Sequence, residues 1–344
     1  MRNLSEYDFV LPEDQIAERP TEVRSASRMM AVGRHALSFD DSRFERLPDF
    51  LRPGDLLVVN NTRVFPARLI GRTETGAAVE ILLERDLGNQ EWRALARPAR
   101  KLKPGKWIIF DPELYAELIE RGEGGMVRVR FNADGDLFEH FDRVGRTPLP
   151  PYIKRDLASP DEDRERYQTV YAEKRGAIAA PTAGLHFTDE VLDRLRAAGV
   201  LTCEITLHVG YGTFEPVRSE DLLGHAVLPE RYEVNERSAE MLSAAKREGR
   251  RIIAVGTTTT RTLENMIAEF GEFRPANGEA RLTILPGHEF KAIDGLLTNF
   301  HLPKSSLLVL VSAFGGHELI MKAYRHAVSA GYRFYSYGDC MLIL

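Results

Sequence analysis

The sequence is poor in cysteine and contains no long apolar run. Its 344 residues include only two cysteines, Cys203 and Cys340, which provide neither a disulfide framework nor a spacing typical of metal ligands. The longest apolar run, residues 307–314, is too short to cross a bilayer. The acidic N-terminus also lacks the charged-then-apolar pattern of a secretory signal. We therefore expect a cytoplasmic protein that does not enter a membrane.

The sequence has slightly fewer basic than acidic residues, 46 against 51, which gives a formal net charge of -5. This balance argues against a protein that coats nucleic acid over its whole surface, but it leaves room for a local basic face. Residues 93–106 contain six basic residues and no acid. The stretch is either a solvated loop or a phosphate-binding segment. In the second case the contacts would come from Arg97, Arg100, Lys101 and Lys103.

Short apolar or alternating segments, separated by turn residues, dominate residues 67–144. They predict strands at residues 67–73, 78–84, 91–96, 106–110, 126–131 and 137–144, with a helical turn at 112–120. This density of short strands is typical of a small antiparallel β-barrel.

Strand and helix patterns alternate in the rest of the chain, after an irregular first fifty residues. Strands are predicted at 56–59, 201–209, 251–255 and 332–337, and helices at 161–171, 234–246, 262–270 and 317–330. Residues 295–300 and 307–312 fit either type. The alternation favours an α/β fold in which a layered α/β/α domain is interrupted by the barrel. We predict a discontinuous α/β domain at residues 1–64 and 150–344, with the barrel inserted at 65–149.

Residues 176–188 join a run of small apolar residues to a tight turn and a helix start. The turn Pro-Thr-Ala-Gly is followed by His186, Phe187 and Thr188. Thr188 is suited to cap the helix, and the two acids after it oppose the helix dipole. A strand, a tight turn and a helix N-terminus make a cleft suited to a polar or anionic ligand. We expect the other functional segments to gather around this one.

Polar or glycine-rich segments follow several predicted strands. In α/β sheets such segments meet beyond the carboxyl ends of the strands, where ligands bind. The candidates are Asn60, Asn61, His208, Gly210, Gly212, Thr213, Gly256, Thr257, Thr258, Arg261, Asn299, His301, Ser305, Tyr337 and Asp339. Each also has a structural interpretation, since Asn and Thr end strands, glycines form turns and a strand-end histidine is often a packed residue.

These segments lack the motifs of several common sites. Gly210 and Gly212 are not followed by the third glycine of a dinucleotide-binding fingerprint. The threonine-rich turn after Gly256 lacks the glycine and lysine of a P-loop, which argues against ATP or GTP hydrolysis. No Glu or Cys stands at metal spacing from the three histidines, so we expect no metal.

Eight segments resemble those of the S-adenosylmethionine:tRNA ribosyltransferase-isomerases. They lie at residues 7–12, 58–68, 145–153, 167–172, 180–188, 207–214, 298–303 and 335–339. The resemblance follows the whole chain in order, and the block around His186 is highly specific. The chain departs from the family pattern at Tyr211 and Cys340, where the family usually has Ala, and at residues 227–229, where a Met-His pair is common before the acid aligned with Glu230. The departures concern one wall of the expected site.

The resemblance implies an enzyme of queuosine synthesis. Family members transfer and isomerise the ribosyl moiety of S-adenosylmethionine onto 7-aminomethyl-7-deazaguanine in tRNA. The product is epoxyqueuosine, and adenine and methionine are released. S-adenosylmethionine is consumed as a substrate, so no separate cofactor is expected. The family fold, an α/β domain with an inserted β-barrel, agrees with the patterns above, and we expect a monomer.

The implied reaction requires a base for the acidic 5′ proton beside the sulfonium and a donor for the departing adenine. We assign these acid or base roles to His186 and His301, with His208 as the second choice. Asp339 would orient or bind a substrate amine. The turn at residues 256–261 would hold the methionine carboxylate.

The same resemblance suggests how the RNA is held. Arg63, Arg68 and the basic stretch at residues 93–106 would bind tRNA phosphates, with Tyr171 or Phe187 stacking on a base. Two alternatives stay open from the sequence alone. One is an S-adenosylmethionine-dependent RNA methyltransferase, which would share the donor and the layered sheet. The other is a non-catalytic RNA-binding protein that needs only the barrel.

Overall fold

The computed structural model describes residues 2–153, 155, 162–214, 217 and 219–344, except for the side chains of Thr213 and Phe214. The chain divides into two compact units. The sheet unit comprises Met1–Thr62, Thr169–Lys174 and Ala180–Leu344, and the barrel unit comprises Arg63–Gln168 and Arg175–Ala179.

The barrel unit extends further than the insertion predicted at residues 65–149, since it also includes residues 150–168. Gln168 accounts for part of this difference. Its side-chain amide accepts a hydrogen bond from the backbone N–H of Val64 at 3.0 Å and donates one to the carbonyl of Val64 at 2.7 Å. This pair of bonds fastens the end of the segment to the start of the barrel unit.

The strands and helices are numbered in chain order. The strands are β1 Arg28–Gly33, β2 Ser38–Arg43, β3 Leu56–Asn60, β4 Thr62–Val64, β5 Arg68–Thr73, β6 Ala78–Gly88, β7 Glu91–Arg97, β8 Trp107–Asp111, β9 Leu114–Arg121, β10 Met126–Asn132, β11 Lys174–Ala177, β12 Leu201–Leu207, β13 Glu230–Val234, β14 Ile252–Val255, β15 Ala276–Ala280, β16 Gly295–Asn299 and β17 Cys340–Ile343. The helices are α1 Leu137–Val144, α2 Asp163–Arg166, α3 Asp189–Ala197, α4 Glu236–Arg247, α5 Thr257–Phe270, α6 Ser306–Gly315 and α7 His317–Ser329.

A nine-stranded sheet organises the sheet unit, in the order β15-β13-β12-β3-β14-β16-β17-β1-β2. The four central strands β12, β3, β14 and β16 run parallel to their neighbours within this group. Every residue of β3, β14 and β16 is buried, which requires cover on both faces of the sheet. Alternate residues such as Leu57 and Val59 pack with Val191 and Leu195 of α3 in one core cluster.

The carboxyl ends of the four central strands lie at one edge of the sheet, because parallel strands point the same way. The strands end at Asn60, Leu207, Val255 and Asn299. The segments that follow them therefore share this edge, as the sequence predicted.

Three predictions for the sheet unit need correction. The first fifty residues contain β1 and β2, and the closing strand is β17 rather than residues 332–337. Tyr335 has a φ of 76°, a left-handed conformation that does not occur within a strand. Helix α5 begins at Thr257 rather than residue 262. Residues 307–312, which fit either type from the sequence, belong to α6.

The barrel unit contains a closed six-stranded barrel in the order β10-β7-β6-β5-β8-β9, and all of its pairings are antiparallel. The predicted fold class, α/β with a small antiparallel barrel, is thus confirmed. Two predictions for this part of the chain were wrong. Residues 112–120 largely form strand β9, whose buried residues alternate, and residues 137–144 form helix α1.

Helix α1 is explained by its cap and its aromatic face. The Asp136 side chain accepts a hydrogen bond from the N–H of Phe138 at 3.0 Å, which satisfies a free donor at the helix start. Phe141 is fully buried against Phe65, Trp92 and Phe131. The predicted helix at residues 161–171 is also shorter, because only α2 is helical there and residue 161 lies outside the described residues.

Candidate functional site

Asn60 ties three segments together at the carboxyl edge of the sheet. Its Oδ1 accepts hydrogen bonds from the N–H groups of Leu207 and Thr62 at 3.0 and 3.2 Å. Its Nδ2 donates to the carbonyl of Leu207 at 2.9 Å and lies 3.4 Å from the hydroxyl of Thr258. The side chain therefore has little capacity left for a substrate, and it fixes the ends of β3, β12 and β14 relative to one another.

Asn61 has a similar structural environment. Its Oδ1 accepts a hydrogen bond from the Thr206 hydroxyl at 2.7 Å, and its Nδ2 donates to Glu204 at 3.1 Å. The structural interpretation, in which Asn residues end a strand, therefore fits Asn60 and Asn61 better than the predicted role in substrate binding.

Three buried or half-buried histidines lie near this edge of the sheet. Nδ1 of His208 is 2.8 Å from the hydroxyl of Thr62. Nε2 of His301 is 2.9 Å from the hydroxyl of Thr298, and its backbone N–H donates to the hydroxyl of Tyr324 at 3.1 Å. The third histidine, His186, lies at the end of a 3-10 turn formed by Thr182–His186, which packs against β16.

Burial makes all three imidazoles hard to protonate. It lowers the pKa of His186 to about 4, that of His208 to about 4 and that of His301 to about 3. The Asn299 side chain opposes part of the fall at His186. All three rings are consequently neutral near pH 7, and the low pKa makes each of them a weak base that acts mainly through hydrogen bonds.

His186 and Asn299 each present a polar atom without a partner. Asn299 donates from Nδ2 to the carbonyl of Tyr335 at 2.9 Å, which leaves its Oδ1 turned away from that carbonyl. Oδ1 of Asn299 and Nε2 of His186 are both buried, and neither makes a hydrogen bond of good geometry among the described residues. The two side chains are nevertheless close enough for Asn299 to raise the pKa of His186. Buried polar atoms are almost always satisfied, so this pair marks a place where a ligand or water would bind.

A second pair of buried hydroxyls lies beside Gly184, two residues before His186. The hydroxyls of Thr169 and Tyr171 have no hydrogen-bond partner in the described part of the chain. A Cβ on Gly184 would lie 2.2 Å from the Tyr171 hydroxyl oxygen and 2.7 Å from Cγ2 of Thr169, so only glycine fits there. Burial raises the pKa of the Tyr171 hydroxyl, which therefore stays protonated.

The turn at Gly256 lies next to the His186 segment. A Cβ on Gly256 would be 3.8 Å from Cβ of Ala183, and the Gly256 N–H donates to the carbonyl of Leu297 at 2.8 Å. Gly256 has a φ of 88°, which favours glycine, and no side chain caps α5. Thr257 begins this helix and is buried, while the Thr259 and Thr260 hydroxyls donate to carbonyls four residues earlier.

The guanidinium group of Arg261 is hydrogen-bonded to other groups of the protein. Its guanidinium donates to Glu230 at 2.5 Å and to the carbonyls of Leu282, Ala280 and Leu228 at 3.2, 3.1 and 3.3 Å. The residue is buried, and these contacts use most of its five N–H donors. Arg261 is therefore a structural residue rather than the predicted ligand for a carboxylate.

Gly210, Gly212 and Thr213 follow β12. The N–H of Gly210 donates to the same Glu230 carboxylate at 3.0 Å, and a Cβ on Gly212 would lie 2.9 Å from Cβ of Leu228. Thr213 belongs to the 3-10 turn Tyr211–Phe214, and its side chain lies outside the described part of the structure. The two glycines thus serve packing around Glu230.

Several other predicted contacts serve the fold. Thr188 caps α3 by accepting a hydrogen bond from Val191, as the sequence predicted, and Ser305 caps α6 by accepting one from Leu308. Phe187 is fully buried against Phe44 and Tyr171, so it offers no face on which a base stacks. Tyr171 is partly buried and packs against the same core cluster.

Asp339 and Tyr337 are also buried. The two carboxylate oxygens of Asp339 accept hydrogen bonds from the backbone N–H groups of Arg28 and Arg333, both at 2.8 Å. Burial raises the pKa of this carboxyl group, and the backbone hydrogen bonds oppose that rise. The arrangement joins β1 to the segment before β17 and occupies the atoms predicted to hold a substrate amine.

The predicted arginines belong to the barrel unit. Arg63 lies 3.9 Å from Glu165, and Arg68 donates to the carbonyl of Leu149 at 3.2 Å and lies 3.8 Å from Glu80. In the basic stretch, Arg93 and Lys106 form ion pairs with acids. The exposed residues without an ion pair in the described ranges are Arg97, Arg100, Lys101 and Lys103.

No group of three or more His, Cys, Asp or Glu side chains suited to a metal ion occurs among the described residues. In that same part of the chain no single helix is long and apolar enough to cross a membrane. The helices α6 and α7 pass that criterion only when taken together, and they are bent by 118°.

Comparison with known proteins decides the family. A family model described as "Queuosine biosynthesis protein" matches residues 4–343. The chain belongs to this family. The resemblance inferred from eight segments of the sequence is thereby confirmed, because the match spans nearly the whole chain.

The family includes similar proteins from several bacteria. The S-adenosylmethionine:tRNA ribosyltransferase-isomerases of Syntrophotalea carbinolica and Symbiobacterium thermophilum are each 50% identical over 343 residues, with 99% of both chains covered. A crystal structure of an S-adenosylmethionine tRNA ribosyltransferase from Thermotoga maritima is 37% identical. It covers 99% of this chain and all of that chain, with a TM-score of 0.57.

Within the sheet unit, the structure brings together the segments that contain His186, His301, His208, Asn299 and Gly256. Sequence reasoning missed Thr169 and assigned Tyr171 to base stacking. The sequence signal that could have located both is Gly184, because a glycine within a 3-10 turn of small residues indicates a close neighbour.

Proposed function

We propose that the chain transfers and isomerises the ribosyl moiety of S-adenosylmethionine onto 7-aminomethyl-7-deazaguanine in tRNA, giving epoxyqueuosine and releasing adenine and methionine. The names of the similar proteins support the donor and the tRNA acceptor. In the structure, the observation that supports the proposal most directly is the buried pair of unpartnered atoms on His186 and Asn299.

His186 is the proposed base. The positive sulfur of the donor acidifies the adjacent 5′ carbon, and the reaction begins when a base removes a proton from it. The C–H bond breaks, its electron pair stays on carbon, and the proton moves to Nε2 of His186. Because burial lowers the pKa of His186 to about 4, the ring is already neutral at physiological pH. The same burial disfavours the imidazolium that proton transfer creates, and the Asn299 side chain offsets part of that cost.

Neighbouring groups would position the donor around this base. Oδ1 of Asn299 accepts a hydrogen bond from the bound substrate, and the protonated hydroxyl of Tyr171 donates one. His301 and His208 are held by threonine hydroxyls, and we propose that they shape the site as neutral hydrogen-bonding residues.

The start of α5 is the proposed position of the methionine carboxylate. The free N–H groups of the first helical turn, from Thr257 onward, lie at the positive end of the helix dipole. No side chain caps them. The position lies beside Ala183 of the 3-10 turn that ends at His186. A carboxylate there would compensate the uncapped helix end.

The proposed RNA contacts lie in the barrel unit. Arg97, Arg100, Lys101 and Lys103 are exposed cations without ion pairs among the described residues, and such groups bind phosphates. We also propose that the enzyme acts in the cytoplasm as a monomer without a separate cofactor. Both cysteines are buried and free, which suits a reducing compartment.

One assay separates this function from its alternatives. Purified protein is incubated with S-adenosylmethionine and an anticodon stem-loop that carries the deazaguanine precursor, and the small molecules and RNA are measured by mass spectrometry. Ribosyl transfer predicts free adenine, free methionine and RNA heavier by one ribosyl-derived unit. Release of S-adenosylhomocysteine would instead identify a methyltransferase. If donor and RNA both stay unchanged, the protein would be a non-catalytic RNA-binding protein.

A further inference from the structure

A polar cavity of about 270 Å³ lies within the barrel unit. Its walls include three arginines, Arg63, Arg164 and Arg175, and two acids, Asp142 and Glu165. The arginine side chains remain between 37% and 45% exposed, so the cavity is open to solvent. Among its charged residues only Arg63 was predicted from the sequence to contact RNA, and the cavity as a whole has no role in the function proposed above.

Asp142 holds two of the arginines side by side. One carboxylate oxygen lies 3.0 Å from Nη2 of Arg164, and the other lies 2.9 Å from Nη1 of Arg175. Arg63 is only weakly paired, because its Nη2 is 3.9 Å from a Glu165 carboxylate whose side chain is 80% exposed. Three positive and two negative side chains leave the wall with one positive charge in excess.

The two clamped guanidinium groups retain most of their donors. Each has five N–H groups in a planar fork, a geometry that matches the oxygens of a phosphate. Clamping by Asp142 also reduces the side-chain entropy that binding would cost. The single excess positive charge of the wall would balance the single negative charge of one backbone phosphate.

The lining argues against a small-molecule site. Pockets for molecules of the size of S-adenosylmethionine are mostly apolar and larger than about 300 Å³. Here the amide of Gln168 is already bonded to the backbone of Val64, and half-exposed guanidinium groups dominate the wall. A single anionic group presented by a larger molecule fits this cavity better than a whole nucleoside.

We propose that the cavity formed by Arg63, Arg164 and Arg175 binds one backbone phosphate of the tRNA substrate. The inference rests on the proposed function, which makes tRNA the substrate. It adds a second phosphate site to the exposed cations of residues 97–103, and one that is built around a clamping carboxylate. Loss of the site should weaken RNA binding without changing the use of S-adenosylmethionine.

The test compares the wild-type enzyme with the double variant R164Q/R175Q. Fluorescence anisotropy with a labelled anticodon stem-loop gives Kd at several NaCl concentrations. The proposal predicts binding about tenfold weaker at low salt, a slope of log Kd against log[NaCl] smaller by about one, and an unchanged KM for S-adenosylmethionine. The matched control is R196Q, which removes an exposed arginine paired with Asp193 in the sheet unit and should leave both quantities unchanged.

The variants R175K and D142N keep the proposal testable where the double variant does not fold. R175K retains the charge but loses the fork, and should weaken binding while leaving the salt slope unchanged. D142N removes one negative charge from the wall, and should steepen the slope of log Kd against log[NaCl].

Unchanged Kd and slope in R164Q/R175Q would overturn the phosphate site, and so would a raised KM for S-adenosylmethionine with normal RNA binding. An unchanged salt slope in D142N would overturn it as well. These outcomes are distinct from failure of the proposed function, because that failure appears as absence of adenine release by the wild-type enzyme.

Discussion

A methyl group on Gly184 would fall 2.2 Å from the hydroxyl oxygen of Tyr171, well inside van der Waals contact. Tyr171 and the turn that carries His186 therefore constrain each other, since neither has room to shift toward the other. The contact links the packing of the sheet unit to the position of its proposed base.

This contact predicts strong coupling between the two residues. Gly184→Ala should lower the free energy of unfolding by about 1–3 kcal/mol, because the added methyl overpacks the site. Tyr171→Phe removes the hydroxyl and should recover part of that loss in the double variant, although Thr169 remains close. Urea unfolding of the two single variants and the double variant gives the coupling energy. Purely additive effects would show that the hydroxyl is not the obstacle.

His301 should make stability depend on pH. Burial lowers the pKa of His301 to about 3, below the value of about 6.5 expected in the unfolded chain. The unfolded state therefore binds the extra proton as the pH falls below 6.5, and stability is lost in that direction.

The variant His301→Gln removes this titration while keeping an acceptor for the Thr298 hydroxyl. Between pH 6 and 5, its free energy of unfolding should fall less steeply than that of wild type, by about 1.4 kcal/mol per pH unit. Denaturant titrations at half-unit pH intervals measure the slope. His35→Gln, at an exposed position, is the control, and equal slopes for His301→Gln and wild type would refute the prediction.

The ion pair between Arg261 and Glu230 should contribute to folding rather than to substrate binding. Arg261→Met removes the guanidinium from a buried carboxylate, which typically costs about 3–5 kcal/mol. Adding Glu230→Gln should recover part of that loss. In the folded fraction, the KM for S-adenosylmethionine should stay within about twofold of wild type. A KM raised tenfold or more would instead support the carboxylate-binding role predicted from the sequence.

The sequence predicts the architecture better than the side-chain roles. Periodicity located the central strands and the barrel, because buried parallel strands and alternating barrel strands leave strong local patterns. Helix α1 was predicted as a strand, since its apolar residues serve an aromatic cluster that is visible only in three dimensions. The closing strand β17 has only four residues, and the left-handed Tyr335 before it gives no local signal.

For the site, motif resemblance selected segments that the structure places near the carboxyl edge of the sheet, but it did not give the direction of each side chain. Asn60, Arg261 and Asp339 are polar residues at strand or helix ends, which is what a substrate contact looks like in sequence. In the structure these side chains form hydrogen bonds with other groups of the protein. The satisfied or unsatisfied state of a buried polar atom depends on distant segments, so no local pattern could distinguish His186 from these residues.

The most direct test of the central claim is the rate of adenine release by His186→Gln, measured with saturating S-adenosylmethionine and precursor stem-loop and compared with His35→Gln. If His186 is the base that removes the 5′ proton, its variant should lose about 10²–10⁴-fold in kcat while its Kd for RNA and its unfolding midpoint stay near wild type. Adenine release within about threefold of wild type in folded, RNA-binding His186→Gln protein would contradict the account.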